Sequence, residues 1–199
     1  MFILVALRSS IGGVSVPWTN TGFPAGTAVT AGNNLFSIPG GAGDVVVTPA
    51  LFMVGETCSA NRVNTDLGNG RRILSAAQQQ GPISLRFSSP VQAVGAQIAV
   101  IPKAIAIGAG AGGGAAPMPA AAMTPFTAIL KIWGSAGTVI EFRIPSSSGL
   151  LSSGNQAIFM GVQAQVGNAE RITDIDFKVA KRGTPTFTDF AINNLNVLP

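Results

Sequence analysis

Every second residue of Ile83-Ser84-Leu85-Arg86-Phe87-Ser88 is apolar, and this two-residue period returns through much of the chain. In an extended backbone successive side chains point to opposite faces, so Ile83, Leu85 and Phe87 share one side and Ser84, Arg86 and Ser88 the other. A helix would instead need apolar residues three and four apart, so the pattern predicts a half-buried strand. Beyond Pro90 the period resumes, with Val94, Ala96, Ile98 and Val100 on one face and Gln97 on the opposite one. Residues 157 to 166 set Ile158, Met160, Val162, Ala164 and Val166 against Phe159, Gly161, Gln163 and Gln165. Residues 172 to 179 set Ile175, Phe177 and Val179 against Asp174, Asp176 and Lys178.

Turn chemistry joins these runs. Gly134-Ser135-Ala136-Gly137 separates the apolar stretch 126–133 from 138–144, where Ile140, Phe142 and Ile144 alternate with Val139, Glu141 and Arg143, so the pair reads as a β-hairpin. At the C-terminus the phase breaks. Phe190 and Ile192 share a face, but Leu195 and Val197 join it only if one extra residue is inserted near Asn193-Asn194, which predicts a β-bulge there. Residues 44 to 54 form a further apolar run, and only 71 to 80 reads as helical. Short strands with almost no helix predict an all-β fold, an antiparallel β-sandwich or jelly roll. Its 199 residues fit a single domain. Residues 104–123, mostly Gly and Ala with Pro117 and Pro119, read as a long low-complexity loop inserted in it.

Composition removes most familiar chemistry. There is no His, no Tyr and one Cys, so one copy cannot build a His-ligated metal, an imidazole base, an internal disulfide or a cysteine zinc cluster. Cys58, without a histidine to activate it, reads as a buried or incidental thiol. The net charge of +4 comes from basic residues scattered from Arg8 to Arg182, with only Arg71-Arg72 and Lys181-Arg182 adjacent. Without clustering or tyrosine stacking platforms, a nucleic-acid partner is not expected. No run of about 18 apolar residues free of Gly, Pro or polar breaks is present, so no spanning helix is expected. The opening run Met1 to Arg8 lacks the basic start of a signal peptide and reads as a shortened leader or a first strand.

Three residue groups merit weighing as sites. Asp174 and Asp176 share a strand face with Cα atoms about 6.6 Å apart, at about 3.3 Å per residue. A paired-carboxylate hydrolase needs such groups opposed across a cleft, and surface solubility is the simpler use. Asp189, Asn193 and Asn194 gather oxygen ligands near the expected bulge and are the candidate Ca²⁺ ligands; otherwise the Asn pair simply serves the bulge, where Asn tolerates positive φ. Trp18 and Trp133 are the only tryptophans, and either packs in the core or stacks on a sugar. No enzyme is expected. The paired glycines Gly12-Gly13 and Gly40-Gly41 lack the context of a phosphate loop and read as turns.

The segments Phe87-Ser88-Ser89-Pro90-Val91-Gln92-Ala93-Val94-Gly95, Ala157-Ile158-Phe159-Met160-Gly161-Val162 and Ile172-Thr173-Asp174-Ile175-Asp176-Phe177 follow one another in that order. They lead to Asp189-Phe190-Ala191-Ile192-Asn193-Asn194-Leu195. Over about residues 83 to 198 the chain resembles bacterial exoproteins of the PEP-CTERM, exosortase-sorted type. The resemblance implies a secreted, extracellular or cell-surface β-sandwich associated with biofilm or exopolysaccharide, with no established catalytic machinery. Asn193 stands where such proteins usually carry Asp, which weakens a metal role at that position. The chain stops at Pro199 without a Pro-Glu-Pro signal, apolar anchor or basic tail, so the expectation is that the ends are removed or that export differs.

Two functions follow as expectations. One is a structural or adhesive module whose poorly charged surface assembles with further copies of itself; only 10% of residues are charged. The other is a lectin-like module binding an extracellular polysaccharide, with Ca²⁺ as a possible aid.

Overall fold

The computed structural model describes residues 1–6, 11–16, 27–29, 35–48, 52–57, 72–76, 81–102, 124–148, 157–183, 187–193 and 195–199. Trp18, Cys58, Asn194 and the Gly/Ala-rich segment lie outside them. The described residues form strands and turns, and every described strand pairing is antiparallel.

The strands are β1 (Phe2–Val5), β2 (Val14–Val16), β3 (Thr27–Val29), β4 (Leu35–Ser37), β5 (Asp44–Thr48), β6 (Phe52–Thr57), β7 (Arg72–Ala76) and β8 (Ile83–Val91). They continue as β9 (Ala93–Pro102), β10 (Thr124–Gly134), β11 (Val139–Ser148), β12 (Ile158–Ala164), β13 (Ile172–Lys181), β14 (Phe187–Ile192) and β15 (Leu195–Leu198). One sheet runs β1-β12-β9-β14-β7-β6-β3, with β15 also beside β9 and β2 outside β15. The other runs β11-β10-β13-β8-β5-β4. The expected all-β sandwich is therefore the observed architecture.

Alternation explains why the two layers close on each other. Ile83, Leu85 and Phe87 of β8, Ile175, Phe177 and Val179 of β13, and Leu130 and Ile132 of β10 are buried from the second sheet. They share one core with Val94, Ala96, Ile98, Met160, Val162 and Phe190 from the first. Burying a side chain of this size contributes about 1.5–3 kcal/mol each. The chain passes from one layer to the other at Gln92. Its N–H donates to the Leu198 carbonyl (2.8 Å) and its own carbonyl accepts from the Ala164 N–H (2.8 Å), so the corner leaves neither group unpaired.

The hairpin forms as expected with one shift: Gly134 belongs to β10, leaving Ser135 to Gly137 as the turn. Gly134 N–H donates to the Thr138 carbonyl (2.8 Å) and Gly137 N–H to the Gly134 carbonyl (2.9 Å). Gly137 has φ of 86°, the left-handed residue such a three-residue turn needs. The C-terminal bulge is also present. Ile192 faces Ile98 and Asn196 faces Gly95, so four steps on this side oppose three on β9. The extra residue brings Leu195 and Val197 into the same core as Phe190 and Ile192.

One expectation is corrected, and two patterns resolve further. Within the stretch 71–80 that reads as helical, the described residues Arg72–Ala76 form a strand flanked by β6 and β14, with Leu74 fully buried. Its Arg, Leu and Ala have helical propensity, but ladder bonds on both sides outweigh a preference worth only tenths of a kcal/mol per residue. The apolar run 44–54 is two strands in different sheets, β5 and β6, with Pro49 between them. Phe159 and Gly161, on the other face of β12 from Met160 and Val162, are buried as well. They lie under a second apolar cover formed by Val5, Ile11 and Ala93 with Leu198, so β12 is buried on both faces, and Val166 falls beyond its end and is exposed.

Candidate functional site

The outward face of the second sheet carries the polar half of each alternating strand, and strand register decides which side chains meet there. Trp133 of β10 lies opposite Asp174 of β13, which lies opposite Arg86 of β8. One row along, Lys131 lies opposite Asp176, which lies opposite Ser84. Ser84, Leu85, Arg86, Trp133, Asp174 and Asp176 line a shallow groove of about 410 Å³.

A local irregularity aims the first row. Trp133 pairs with Asp174 but its neighbour Gly134 pairs with Ile172, so Thr173 is an extra residue on β13. The Thr173 Oγ1 hydroxyl donates to the Trp133 carbonyl (3.2 Å), tying the extra residue back to β10. Bulges of this kind redirect side chains and are frequent beside binding sites. Trp133 is therefore half-buried on the outward face, while its neighbour Ile132 points into the core. The ring lies outside the core between the two sheets.

The charges are arranged in pairs. Arg86 Nε donates to Asp174 Oδ1 at 2.8 Å, and this carboxylate raises the guanidinium further above its ordinary range. Burial pushes the Asp176 carboxyl up, and the nearby Asp174 charge adds to that; the Ser84 hydrogen bond and the Lys131 and Lys178 charges act against it. Lys131 Nζ sits 4.8 Å from the centroid of the Trp133 ring, within cation–π range. The groove thus offers an aromatic ring, a fixed guanidinium–carboxylate pair and a second carboxyl with a hydroxyl beside it.

Asp174 and Asp176 are next-but-one neighbours on the same strand, not groups facing each other across a cleft. Asn193 is 1% exposed, and its Oδ1 accepts from the Gln97 N–H at 3.0 Å, so this oxygen is turned into the protein. In this position it serves the bulge. Asp189 is placed as a backbone position of β14 opposite Ile101, while Trp18 and Asn194 lie outside the described residues. Among the described residues no three His, Cys, Asp or Glu side chains cluster closely enough to hold a metal ion, and no helix is long and apolar enough to cross a membrane.

Alternation pairs Asp174 with Asp176 on one strand face but does not bring Trp133 to them, and it gives no sign of Arg86, Ser84 and Lys131 as site residues. Arg86 and Asp174 are 88 positions apart. The available signal was their common membership of polar strand faces. The chain matches no protein-family model, no curated protein and no solved structure.

Proposed function

We propose that this protein is a non-catalytic extracellular module of a cell surface or exopolysaccharide matrix, and that the Trp133 groove binds a glycan. The observation carrying this reading is the shared cross-strand row of Trp133, Asp174 and Arg86 lining one groove. A sugar ring has an apolar face suited to an aromatic ring and peripheral hydroxyls suited to a carboxylate and a guanidinium. The hydrogen-bonding groups are already held in place by strand register and by the Arg86–Asp174 pair, so little ordering is needed on binding. The resemblance of residues 83 to 198 to exosortase-sorted exoproteins supports the same setting.

A glycan array probed with the whole chain, with and without Ca²⁺, tests the reading. Binding to a limited set of polysaccharides that falls at least about tenfold in W133A is expected, corresponding to about 1.4 kcal/mol. A blank array under both conditions, or binding indifferent to W133A, removes it.

A further inference from the structure

Strand β11 is an edge: among the described residues it pairs with β10 alone. Which of its backbone groups are unused follows from the turn. Because Gly134 N–H bonds the Thr138 carbonyl, the hydrogen-bonded pairs along the hairpin are Ile132 with Ile140, Leu130 with Phe142 and Ala128 with Ile144. Val139, Glu141 and Arg143 therefore turn their amides and carbonyls away from β10. Their side chains stand on the outward face and are exposed, Val139 at 50%.

We propose that β11 pairs edge to edge with β11 of a second copy of this chain, antiparallel and with the two-fold axis at Phe142. The strand is self-complementary in this register. Glu141 falls opposite Arg143 of the second copy, and Arg143 opposite its Glu141. Both positions carry backbone groups facing the edge, so the same register that matches the charges also forms the ladder. Within one chain Arg143 Nη2 already lies 2.6 Å from Glu141 Oε1; across the dyad the four side chains form an alternating ring of charge. Val139 comes to face Pro145 of the second copy, whose carbonyl accepts the Val139 N–H; proline's missing N–H costs one bond at each end of the ladder. On the inner face, Ile140, Phe142 and Ile144 are only partly buried at the margin of the core, and the second copy covers them.

Charge and proline on an edge also guard against pairing, and that is the competing explanation. What favours pairing is the order of the charges, since two like charges would guard an edge better than an opposite pair spaced to match itself. A two-fold axis of this kind stands perpendicular to the sheet, so both copies present their outward faces on the same side. The pairing does not depend on what the groove binds.

Sedimentation equilibrium of the whole chain up to about 1 mM, with E141R, R143E and the double swap E141R/R143E, tests it. The wild type and the double swap are expected to dimerise alike. Either single reversal sets like charges opposite each other twice per dimer and should weaken dimerisation about tenfold or more. An equimolar mixture of E141R and R143E should recover it, because one chain then presents two cations and the other two anions. A wild type that stays monomeric, a dimer indifferent to the single reversals, or a mixture that fails to recover each overturns the proposal. The substituted positions are exposed, and unchanged unfolding midpoints of the variants establish that they fold.

Discussion

Gln97 and Asn193 are joined side by side at the point where the last strands of the larger sheet change phase. Gln97 N–H donates to Asn193 Oδ1, Asn193 Nδ2 donates to Gln97 Oε1, and the Asn193 N–H donates to the Gln97 carbonyl (3.2 Å). Both residues are buried, so the amide of Asn193 supplies what the interrupted ladder does not. N193A leaves the Gln97 amide groups without these partners and is expected to cost about 1–3 kcal/mol in urea unfolding. N193D is expected to cost more at neutral pH, because a carboxylate has no hydrogen to give Gln97 Oε1 and carries a charge into the interior. An N193D protein as stable as wild type would show that the amide donor does not matter.

That bulge was legible in the sequence because burial leaves no freedom of phase. Phe190, Ile192, Leu195 and Val197 all need one core, and a period of two permits it only with an inserted residue. The same logic places Ile83 to Phe87 and Ile175 to Val179 correctly. It fails where both faces are covered, as at Phe159 and Gly161, since alternation reports only that two faces differ. It fails again at Arg72–Ala76, where five residues are too few to show a period and tertiary pairing decides. The site was legible only in fragments. Polar faces could be assigned strand by strand, but the meeting of Trp133, Asp174 and Arg86 depends on register among three strands and on the extra residue Thr173. Local sequence carries neither.

Gly95 and Gly161 face each other across β9 and β12, beneath the end of the Ile11 side chain. A Cβ at Gly161 would stand 2.7 Å from Ile11 Cδ1 and 2.9 Å from the Val94 carbonyl oxygen. G161A is therefore expected to lose about 1–3 kcal/mol through overpacking. Truncation in I11A gives the methyl room on one side only, so the pair should be coupled by about 0.5–3 kcal/mol and rescue should remain partial. Additive losses in a double-mutant cycle would place the strain elsewhere.

Asp176 gives the fold a specific acid dependence. Burial holds its carboxyl above the ordinary value of 3.8, so just above that pH the folded state binds more protons than the unfolded one. Stability contributed by this group is present at low pH and is lost as pH rises through the folded-state value. Comparison with D176N isolates the effect, since the amide does not titrate. D176N should match the wild type below pH 3.8 and become progressively the more stable of the two as the wild-type carboxyl ionises. Thermal unfolding of both proteins across this range measures it, and an advantage that shrinks with rising pH would mean that Ser84 and Lys131 outweigh desolvation.

The Arg86–Asp174 pair should matter to binding far more than to folding. Arg86 is exposed, its side chain at 73%, and ion pairs so open to water contribute little to stability. D174N keeps the shape of the groove but removes the anion that fixes the guanidinium, and R86K keeps the charge but loses the planar donor that meets the carboxylate. Both variants are expected to unfold at the wild-type midpoint while glycan affinity falls by about tenfold or more, the scale of a lost hydrogen bond to a charged group. Isothermal titration with whichever polysaccharide the array selects, paired with thermal unfolding of the same samples, separates the two effects. If affinity and midpoint fall together, the pair serves the sheet; if neither moves, recognition rests on Trp133 and the Asp176 side of the groove.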